Sequence, residues 1–300
     1  MSVDVLARAV AVSRSFGPVM ALHEVSMDVP AGQLVGLLGP NGAGKSTLLS
    51  LLVGLRRPSA GRVELFGGDP RATASRQQLG STPQESGLPP TLRVREVVDF
   101  VGRHYPDPLP TSELLGRFEL DGLTGRQTGA LSGGQKRRLA VALAFVGRPR
   151  LVVLDEPTTG LDVDARRGLW DGVRSFHADG GTVLLTSHYL EEVEALAQRV
   201  VVIDSGRVVV DDTLAAVRAR VQLSRVSLRL PDGGALTPGM SGVVQTERAG
   251  DVVHLLTPDA DALVRELVRT DVPFHDLQVR GASLEEAFLA MTSEHAEVRS

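Results

Sequence analysis

The chain has 300 residues, of which 42% are hydrophobic and 23% are charged. This composition is typical of a globular protein with a buried core, and the length allows one large domain or two smaller ones. The absence of cysteine excludes disulfides, cysteine-ligated zinc and thiol catalysis. The net charge of −4 and the lack of a basic run argue against a nucleic-acid partner.

Two features indicate that the chain does not cross a membrane by itself. The N-terminal stretch "MSVDVLARAV" lacks the basic segment and long apolar segment of a signal peptide. The longest apolar runs, residues 48–55 and 139–147, are far shorter than the roughly 18 residues of a spanning helix. We therefore expect any membrane role to depend on a partner protein.

The N-terminal part of the chain reads as strands that lead into a glycine-rich loop. "VDVLARAVAV" at 3–12 and "QLVGLLG" at 33–39 have strand character. "GPNGAGKST" follows at 39–47, and "KSTLLSLLVGL" at 45–55 has helical spacing. Strand, loop and helix in this order are the context that a phosphate-binding loop requires.

The middle of the chain predicts a helical subdomain inside an α/β core. Residues 94–147 contain three helical patterns, and we place the subdomain at about 86–147. Strands return with "RLVVLDEP" at 150–157 and "GTVLLTSH" at 181–188, and the pattern between them is helical. "RVVVIDSGRVVVDD" at 199–212 predicts a hairpin with its turn at Ser205-Gly206.

The pattern changes again near residue 222. Residues 223–257 give three short strand-like runs, followed by an amphipathic helix at 259–270, a strand at 274–279 and a helix at 283–292. We therefore predict an α/β nucleotide-binding domain at 1–222 and a small C-terminal α+β domain at 223–300.

The loop at 39–47 fits the pattern G-x-x-x-x-G-K-[ST] through Gly39, Gly44, Lys45 and Ser46. Its backbone N–H groups and the positive end of the following helix favour phosphate, the lysine reaches the β- and γ-phosphates, and the serine hydroxyl binds Mg²⁺. Only two of the 32 basic residues are lysines, Lys45 and Lys136. A compact ammonium fits inside a ring of N–H groups, whereas a planar guanidinium does not. The nucleotide-binding residues predicted in this loop are Gly39, Asn41, Gly42, Ala43, Gly44, Lys45, Ser46 and Thr47.

A pair of acidic residues ends the apolar strand "LVVLDEP". A strand that is apolar on both faces is typical of the centre of a parallel sheet, where ligands bind at the carboxyl ends. Asp155 is suited to hold Mg²⁺, and Glu156 is suited to polarise the attacking water. A solvated charged turn is the alternative interpretation of this pair on its own.

Residues 131–135, "LSGGQ", give the sequence its resemblance to the ATP-binding subunits of ABC transporters. The pentapeptide is the signature of that family and lies between the phosphate loop and the acidic pair, as the family order requires. "STPQ" places Gln84 at the family's Q-loop position, "TTGLD" places Asp162 at the D-loop position, and "TSH" places His188 at the switch-histidine position. The resemblance covers roughly residues 3–220 and implies an ABC-type P-loop ATPase core.

The resemblance also implies ATP and Mg²⁺ as cofactors and a head-to-tail homodimer with shared ATP sites. Gln84 would sense Mg²⁺ and the attacking water, and His188 would contact the γ-phosphate. Phe16 would stack on adenine; packing of its ring in the core is the alternative. The residues expected to contact nucleotide held by the second subunit are Ser132, Gly133, Gly134, Gln135 and Asp162.

The C-terminal stretch "GASLEEAFLAMT" at 281–292 resembles the ending of export-type ATPase subunits that pair with a separate permease. This implies a subunit that hydrolyses ATP to drive export of a small hydrophobic or drug-like compound, located in the cytoplasm on the inner face of the membrane. The partner-facing groove is expected near residues 85–105. An importer ATPase subunit and a soluble ABC ATPase that acts on nucleic acid or ribosomes are the alternatives.

Overall fold

The computed structural model describes residues 4–82, 87–187, 189–220, 223–231, 242–270, 272–281 and 284. Gln84 and His188 lie outside the described residues, as does almost all of the helix predicted at 283–292. The chain divides into two compact units, Met1–Asp212 and Thr213–Ser300. The domain boundary between residues 222 and 223 and the extent of the helical subdomain stay predictions.

The first unit is built on two sheets. One is an antiparallel sheet in which β1 lies between β2 and β4, and the other is a sheet in the order β5-β6-β7-β3-β8-β9. The strands are β1 Val5–Phe16, β2 Val19–Pro30, β3 Leu34–Leu38, β4 Ala60–Leu65, β5 Leu79–Thr82, β6 Leu151–Asp155, β7 Thr182–Thr186, β8 Arg199–Asp204 and β9 Arg207–Thr213. Strands β5, β6, β7, β3 and β8 run parallel, so the predicted central parallel strand is confirmed in β6.

Helices connect the strands of this unit. They are α1 Lys45–Leu52, α2 Thr73–Arg76, α3 Val94–Gly102, α4 Thr111–Arg117, α5 Gly133–Leu143, α6 Val163–Ala178 and α7 Leu190–Leu196. The three helical patterns predicted within 94–147 correspond to α3, α4 and α5, and the pattern at 162–176 corresponds to α6. Helices α2 and α7 and strands β4 and β5, which have four to seven residues each, are not among the predicted elements.

The predicted hairpin is confirmed between β8 and β9, which are adjacent in the sheet. Ser205 has φ 48° and Gly206 has φ 75°. Two successive residues with positive φ are typical of the type I′ turn, whose twist matches that of the flanking strands.

The core of the first unit fixes the position of α1. Leu48, Leu51 and Leu52 on α1 are at most 1% exposed and pack in one cluster with Val25 of β2 and Leu37 of β3. Burying an aliphatic side chain contributes about 1.5–3 kcal/mol. The helix that follows the glycine-rich loop is therefore anchored against both sheets.

In the described part of the second unit, helix α9 packs against an antiparallel sheet. The strand order is β11-β12-β10-β13, and Leu263 and Leu267 of α9 pack against Val226, Leu228 and Leu255. Its elements are α8 Leu214–Arg220, β10 Ser224–Arg229, β11 Gln245–Ala249, β12 Val252–Thr257, α9 Ala260–Arg269 and β13 His275–Gly281. The three predicted strands, the amphipathic helix and the strand after it are present in this order.

Within the described part of the chain, no helix has the length and apolar character needed to cross a bilayer.

Candidate functional site

The register of the parallel sheet brings the ends of four strands to one edge. Thr186 of β7 pairs with Asp155 of β6 on one side and Leu37 of β3 on the other. Thr82, at the end of β5, pairs with Leu154. The loop at 39–47 begins where β3 ends. The sheet therefore brings the predicted phosphate loop and acidic pair to the same edge, which is where open α/β sheets bind ligands.

Two glycines of the loop are required by its geometry. A Cβ added to Gly39 would lie 2.1 Å from the carbonyl oxygen of Ile203. Gly44 has φ 105°, and a Cβ there would lie 2.7 Å from the carbonyl oxygen of Ala21. Gly44 is the N-cap of α1, which has no side-chain cap and no acidic residue in its first turn. The first N–H groups of α1 are thus directed to an open site that favours an anion.

Lys45 is held at the centre of this loop. Its side chain is 6% exposed, and Nζ donates to the carbonyl oxygens of Gly39 at 2.7 Å and Pro40 at 3.1 Å. Burial lowers the pKa of Lys45, and the nearby carboxylates of Glu156 and Asp155 oppose that shift. The arrangement suits a compact ammonium that neutralises added negative charge.

The acidic pair is anchored by the threonines that end the neighbouring strands. The hydroxyl of Thr186 donates to Asp155 Oδ1 at 2.6 Å and accepts the N–H of Glu156 at 3.0 Å. The hydroxyl of Thr82 accepts the N–H of Asp155 at 3.3 Å. Glu156 has φ 48°, a left-handed conformation that costs a non-glycine residue roughly 1–2 kcal/mol. Strain of this kind is concentrated at functional sites.

Arg137 of α5 also binds the backbone of the acidic pair. Its guanidinium donates to the carbonyl oxygens of Asp155 at 2.7 Å, Glu156 at 2.8 Å and Pro157 at 3.2 Å. Burial lowers the pKa of Arg137, and the carboxylates of Asp155, Glu156 and Glu192 oppose that shift. Sequence reasoning missed this residue, because a basic run at 136–138 gives no sign of which side chain is buried.

A cavity of about 640 Å³ opens beside these groups. Its lining includes Phe16, Ser46 and Asp155. Phe16 is 38% exposed, and the guanidinium carbons of Arg14 and Arg56 lie 4.8 Å and 5.1 Å from its ring centroid. The cavity therefore combines an aromatic ring with the hydroxyl and carboxylate oxygens that Mg²⁺ prefers.

The signature residues lie apart from this cavity. Ser132 is the N-cap of α5; its hydroxyl accepts the N–H of Gln135 at 3.2 Å, and its N–H donates to Gln135 Oε1 at 3.0 Å. This is a capping box, which orders the start of the helix. Within the described part of the cavity lining, none of residues 132–135 occurs.

The start of α5 packs beside the predicted D-loop. A Cβ added to Gly134 would lie 3.4 Å from Leu161. The next residue, Asp162, caps α6 by accepting the N–H of Ala165 at 2.8 Å. The structure thus brings the start of the signature helix close to the D-loop that contains Asp162.

The sequence is similar to known transport proteins over nearly its whole length. A family model described as ABC transporter matches residues 22–159. The Nod factor export ATP-binding protein I of Burkholderia lata is 37% identical over 292 residues, which cover 94% of this chain and 95% of that protein. The chain belongs to the ABC transporter family.

A further relative and two solved structures of this family are also similar to the chain. The daunorubicin resistance ATP-binding protein DrrA3 of Streptomyces coeruleorubidus is 37% identical over 306 residues, which cover 95% of each chain. A solved ATP-binding subunit of an ABC transporter has TM-score 0.66 at 28% identity and covers 72% of this chain and 93% of its own. A dimeric cassette in a post-hydrolysis state with ADP and Pi has TM-score 0.63 at 25% identity and covers 69% and 98%.

These comparisons confirm the predicted family, the α/β fold and the ATPase class. The chain is an ATP-binding subunit of the ABC transporter family, and its enzymatic activity is ATP hydrolysis.

Proposed function

We propose that the chain binds Mg²⁺-ATP at residues 39–47 and hydrolyses it to drive export of a small hydrophobic or drug-like compound through a separate permease. The observation that carries this proposal is the convergence of Lys45, Asp155 and Glu156 at one edge of the parallel sheet. The anchored loop supplies positive charge and N–H donors there, and the strand end supplies the acids.

The binding roles follow from the chemistry of each side chain. Lys45 and the backbone N–H groups of residues 39–47 hold the phosphates, while Phe16 stacks on the adenine ring. Ser46 and Asp155 hold Mg²⁺, which neutralises charge on the phosphate oxygens when bound. Mg²⁺ is usually bound by one or two carboxylates, several waters and the phosphates of the substrate, so ATP and water would supply its other ligands.

Glu156 is the proposed catalytic residue. Its carboxylate orients the attacking water and accepts its proton. Its N–H donates to Thr186 and its carbonyl oxygen accepts from Arg137, so two neighbours hold the backbone that carries the side chain. The carboxylate accepts the hydroxyl of Thr159 at 3.3 Å. From their sequence positions, we propose that Gln84 contacts Mg²⁺ and the attacking water. His188 is proposed to contact the γ-phosphate.

The separation of the signature from the cavity supports a shared site between two copies of the chain. We infer that Ser132, Gly133, Gly134 and Gln135, with Asp162, contact ATP held by a second subunit in a head-to-tail dimer. The N-terminus of α5 would then contribute N–H groups to that phosphate. ATP would hold the dimer together, and loss of the γ-phosphate would release it.

The permease and the cargo are proposed from the relatives and from one surface groove. The relatives carry names that refer to Nod factor export and daunorubicin resistance, which favours export over import. A cavity of about 410 Å³ lies between β5, an outermost strand of the parallel sheet, and α3, with Leu88, Val101 and Tyr105 in its lining. We infer that a cytoplasmic helix of the permease docks there and holds the ATPase at the inner face of the membrane.

A co-purification experiment tests the transport assignment. Tagged Glu156→Gln protein is recovered with ATP and Mg²⁺ from detergent-solubilised cells of the native host, with an ATP-free sample as the control. We expect a polytopic membrane protein in about equal amount, because the variant should trap the ATP-bound complex. Recovery of only a soluble dimer, or of ribosomes or DNA, would contradict the export proposal and leave the ATPase chemistry standing.

A further inference from the structure

A fully buried carboxylate lies behind the catalytic edge and has no role in the proposed chemistry. Glu192 of α7 is 0% exposed. Its Oε2 accepts the hydroxyl of Thr158 at 2.8 Å, and its Oε1 accepts the indole N–H of Trp170 at 3.1 Å. Burial raises the pKa of Glu192, and its hydrogen bonds oppose that shift.

The two donors belong to different elements around the site. Thr158 lies two residues after Glu156, in the loop that leads to Asp162. Trp170 lies on α6. The carboxylate of Glu192, on α7, therefore links the loop that follows the catalytic residue to a long helix.

We propose that Glu192 is a positioning residue for ATP hydrolysis, which fixes the loop of residues 157–162 and thereby the direction of the Glu156 side chain. This inference rests on the proposed function of Glu156. Hydrogen bonds to a carboxylate are about twice as strong as those between neutral groups. Small displacements of a catalytic group are costly, so a loosened loop should slow the chemical step more than ATP binding.

A purely structural role is the alternative that the test must separate. Apolar side chains of similar volume can replace buried charged groups without loss of stability. A carboxylate at this position is therefore not needed to fill the core. It is instead an acceptor whose two oxygens each bind a separate donor.

The test compares Glu192→Gln with Glu191→Gln. Glutamine keeps the volume of Glu192 but replaces one of its two acceptor oxygens with an NH₂ group, which is a donor. One of the two donors, Thr158 or Trp170, therefore loses its acceptor. Glu191 is the exposed neighbour, with one surface contact to Arg166 at 3.7 Å. We expect kcat to fall about 10- to 100-fold in Glu192→Gln, with KM for ATP within about twofold of the parent. Glu191→Gln should leave both parameters unchanged.

Tryptophan fluorescence supplies a second readout, because Trp170 is the only tryptophan in the chain. Its indole N–H is bonded to Glu192, so emission reports directly on this contact. We expect Mg²⁺-ATP to change the emission of the parent protein and of Glu191→Gln, and this response to be lost in Glu192→Gln. An unchanged response together with unchanged kcat would overturn the proposal.

Changes of the two donors keep the test decisive if Glu192→Gln does not fold. Thr158→Val removes the donor hydroxyl and Trp170→Phe removes the donor indole N–H, and we expect each to lower kcat several-fold at unchanged KM. Normal kcat in both variants would overturn the proposal. If Glu156→Gln retains normal turnover, the proposed function itself fails; if Glu156→Gln is inactive while the Glu192 and donor variants are normal, only this inference fails.

Discussion

The edge of the parallel sheet in the first unit and the sheet of the second unit differ in where charged side chains lie. Lys45 at the edge and Glu192 behind it are almost completely buried. In the second unit, none of the described charged residues is buried; the pair of Arg229 with Asp251 at 2.8 Å is about half exposed, and the packed cluster of the sheet and α9 is apolar. Burying a charge is costly unless it is paired, so the buried charges at and behind one edge indicate where the chemistry lies.

Substitutions in these two places should differ in their effects on activity and stability. Changes at the edge should alter activity without a proportional loss of stability, since the groups there are arranged for a ligand. Changes at the surface of the second unit should alter neither to a large degree, because exposed ion pairs contribute only about 0–1 kcal/mol.

The largest effect is expected for Lys45→Met. Loss of the ammonium should weaken ATP binding at least about 100-fold, which corresponds to roughly 2.7 kcal/mol. The ligand-free protein should unfold at the same temperature or higher, because the variant buries no charge. Equilibrium ATP binding and thermal unfolding measure the two effects. Lys45→Arg is the control for shape: it keeps the charge and should still bind ATP poorly, and near-normal binding would contradict the argument from the compact ammonium.

Arg137→Lys should have a smaller effect on the same edge. A lysine keeps the charge but cannot donate to three successive carbonyl oxygens in a fork. We expect kcat to fall about tenfold at similar ATP affinity, because each lost hydrogen bond contributes about 1 kcal/mol. Arg138→Lys is the matched control on the same helix, since Arg138 pairs with Glu119 at 3.3 Å. Equal kcat values for the two variants would show that Arg137 does not position the acidic pair.

The buried Lys45 also predicts a pH dependence of stability. Its pKa is lowered from the ordinary value of 10.5, chiefly by burial, so the folded state binds fewer protons than the unfolded state between the two values. The contribution of Lys45 to the free energy of unfolding should therefore become more favourable as pH rises toward 10.5. Denaturant unfolding of the ligand-free parent and Lys45→Met at neutral and alkaline pH measures this difference. The free energy of unfolding of the parent minus that of Lys45→Met should increase as pH rises, and a decrease would contradict the assigned shift.

The smallest effect is expected for Arg229→Gln in the second unit. Its pair with Asp251 is about half exposed on both sides, so the loss should be at most about 1 kcal/mol in that unit. ATP turnover should be unchanged. A clear change in kcat would contradict this expectation and show that the second unit contributes to ATP turnover.

The sequence predicts the parts of the site that depend on local pattern. The glycine spacing of residues 39–47, the apolar strand before Asp155 and the Ser205-Gly206 turn are short-range signals, and the structure has the corresponding elements. Because parallel strands end at a common edge, the meeting of Lys45 with the acidic pair also follows from the order of the elements.

The remaining parts depend on contacts between distant segments. Thr186 meets Asp155 through the register of two strands, and register is set by the whole sheet. Arg137 and Glu192 lie on helices within charged runs, where the sequence does not show which side chain turns inward. A threonine at the end of an apolar strand is the one signal that could have identified Thr82 and Thr186.

Steady-state ATP hydrolysis by Glu156→Gln, measured beside equilibrium ATP binding, tests the central claim most directly. Removing a positioned general base typically lowers the rate about 10²- to 10⁴-fold, so we predict a loss in this range with ATP affinity within about threefold of the parent. Hydrolysis at the normal rate by a folded, ATP-binding Glu156→Gln protein would contradict the account, because the edge of the parallel sheet would then lack its catalytic base.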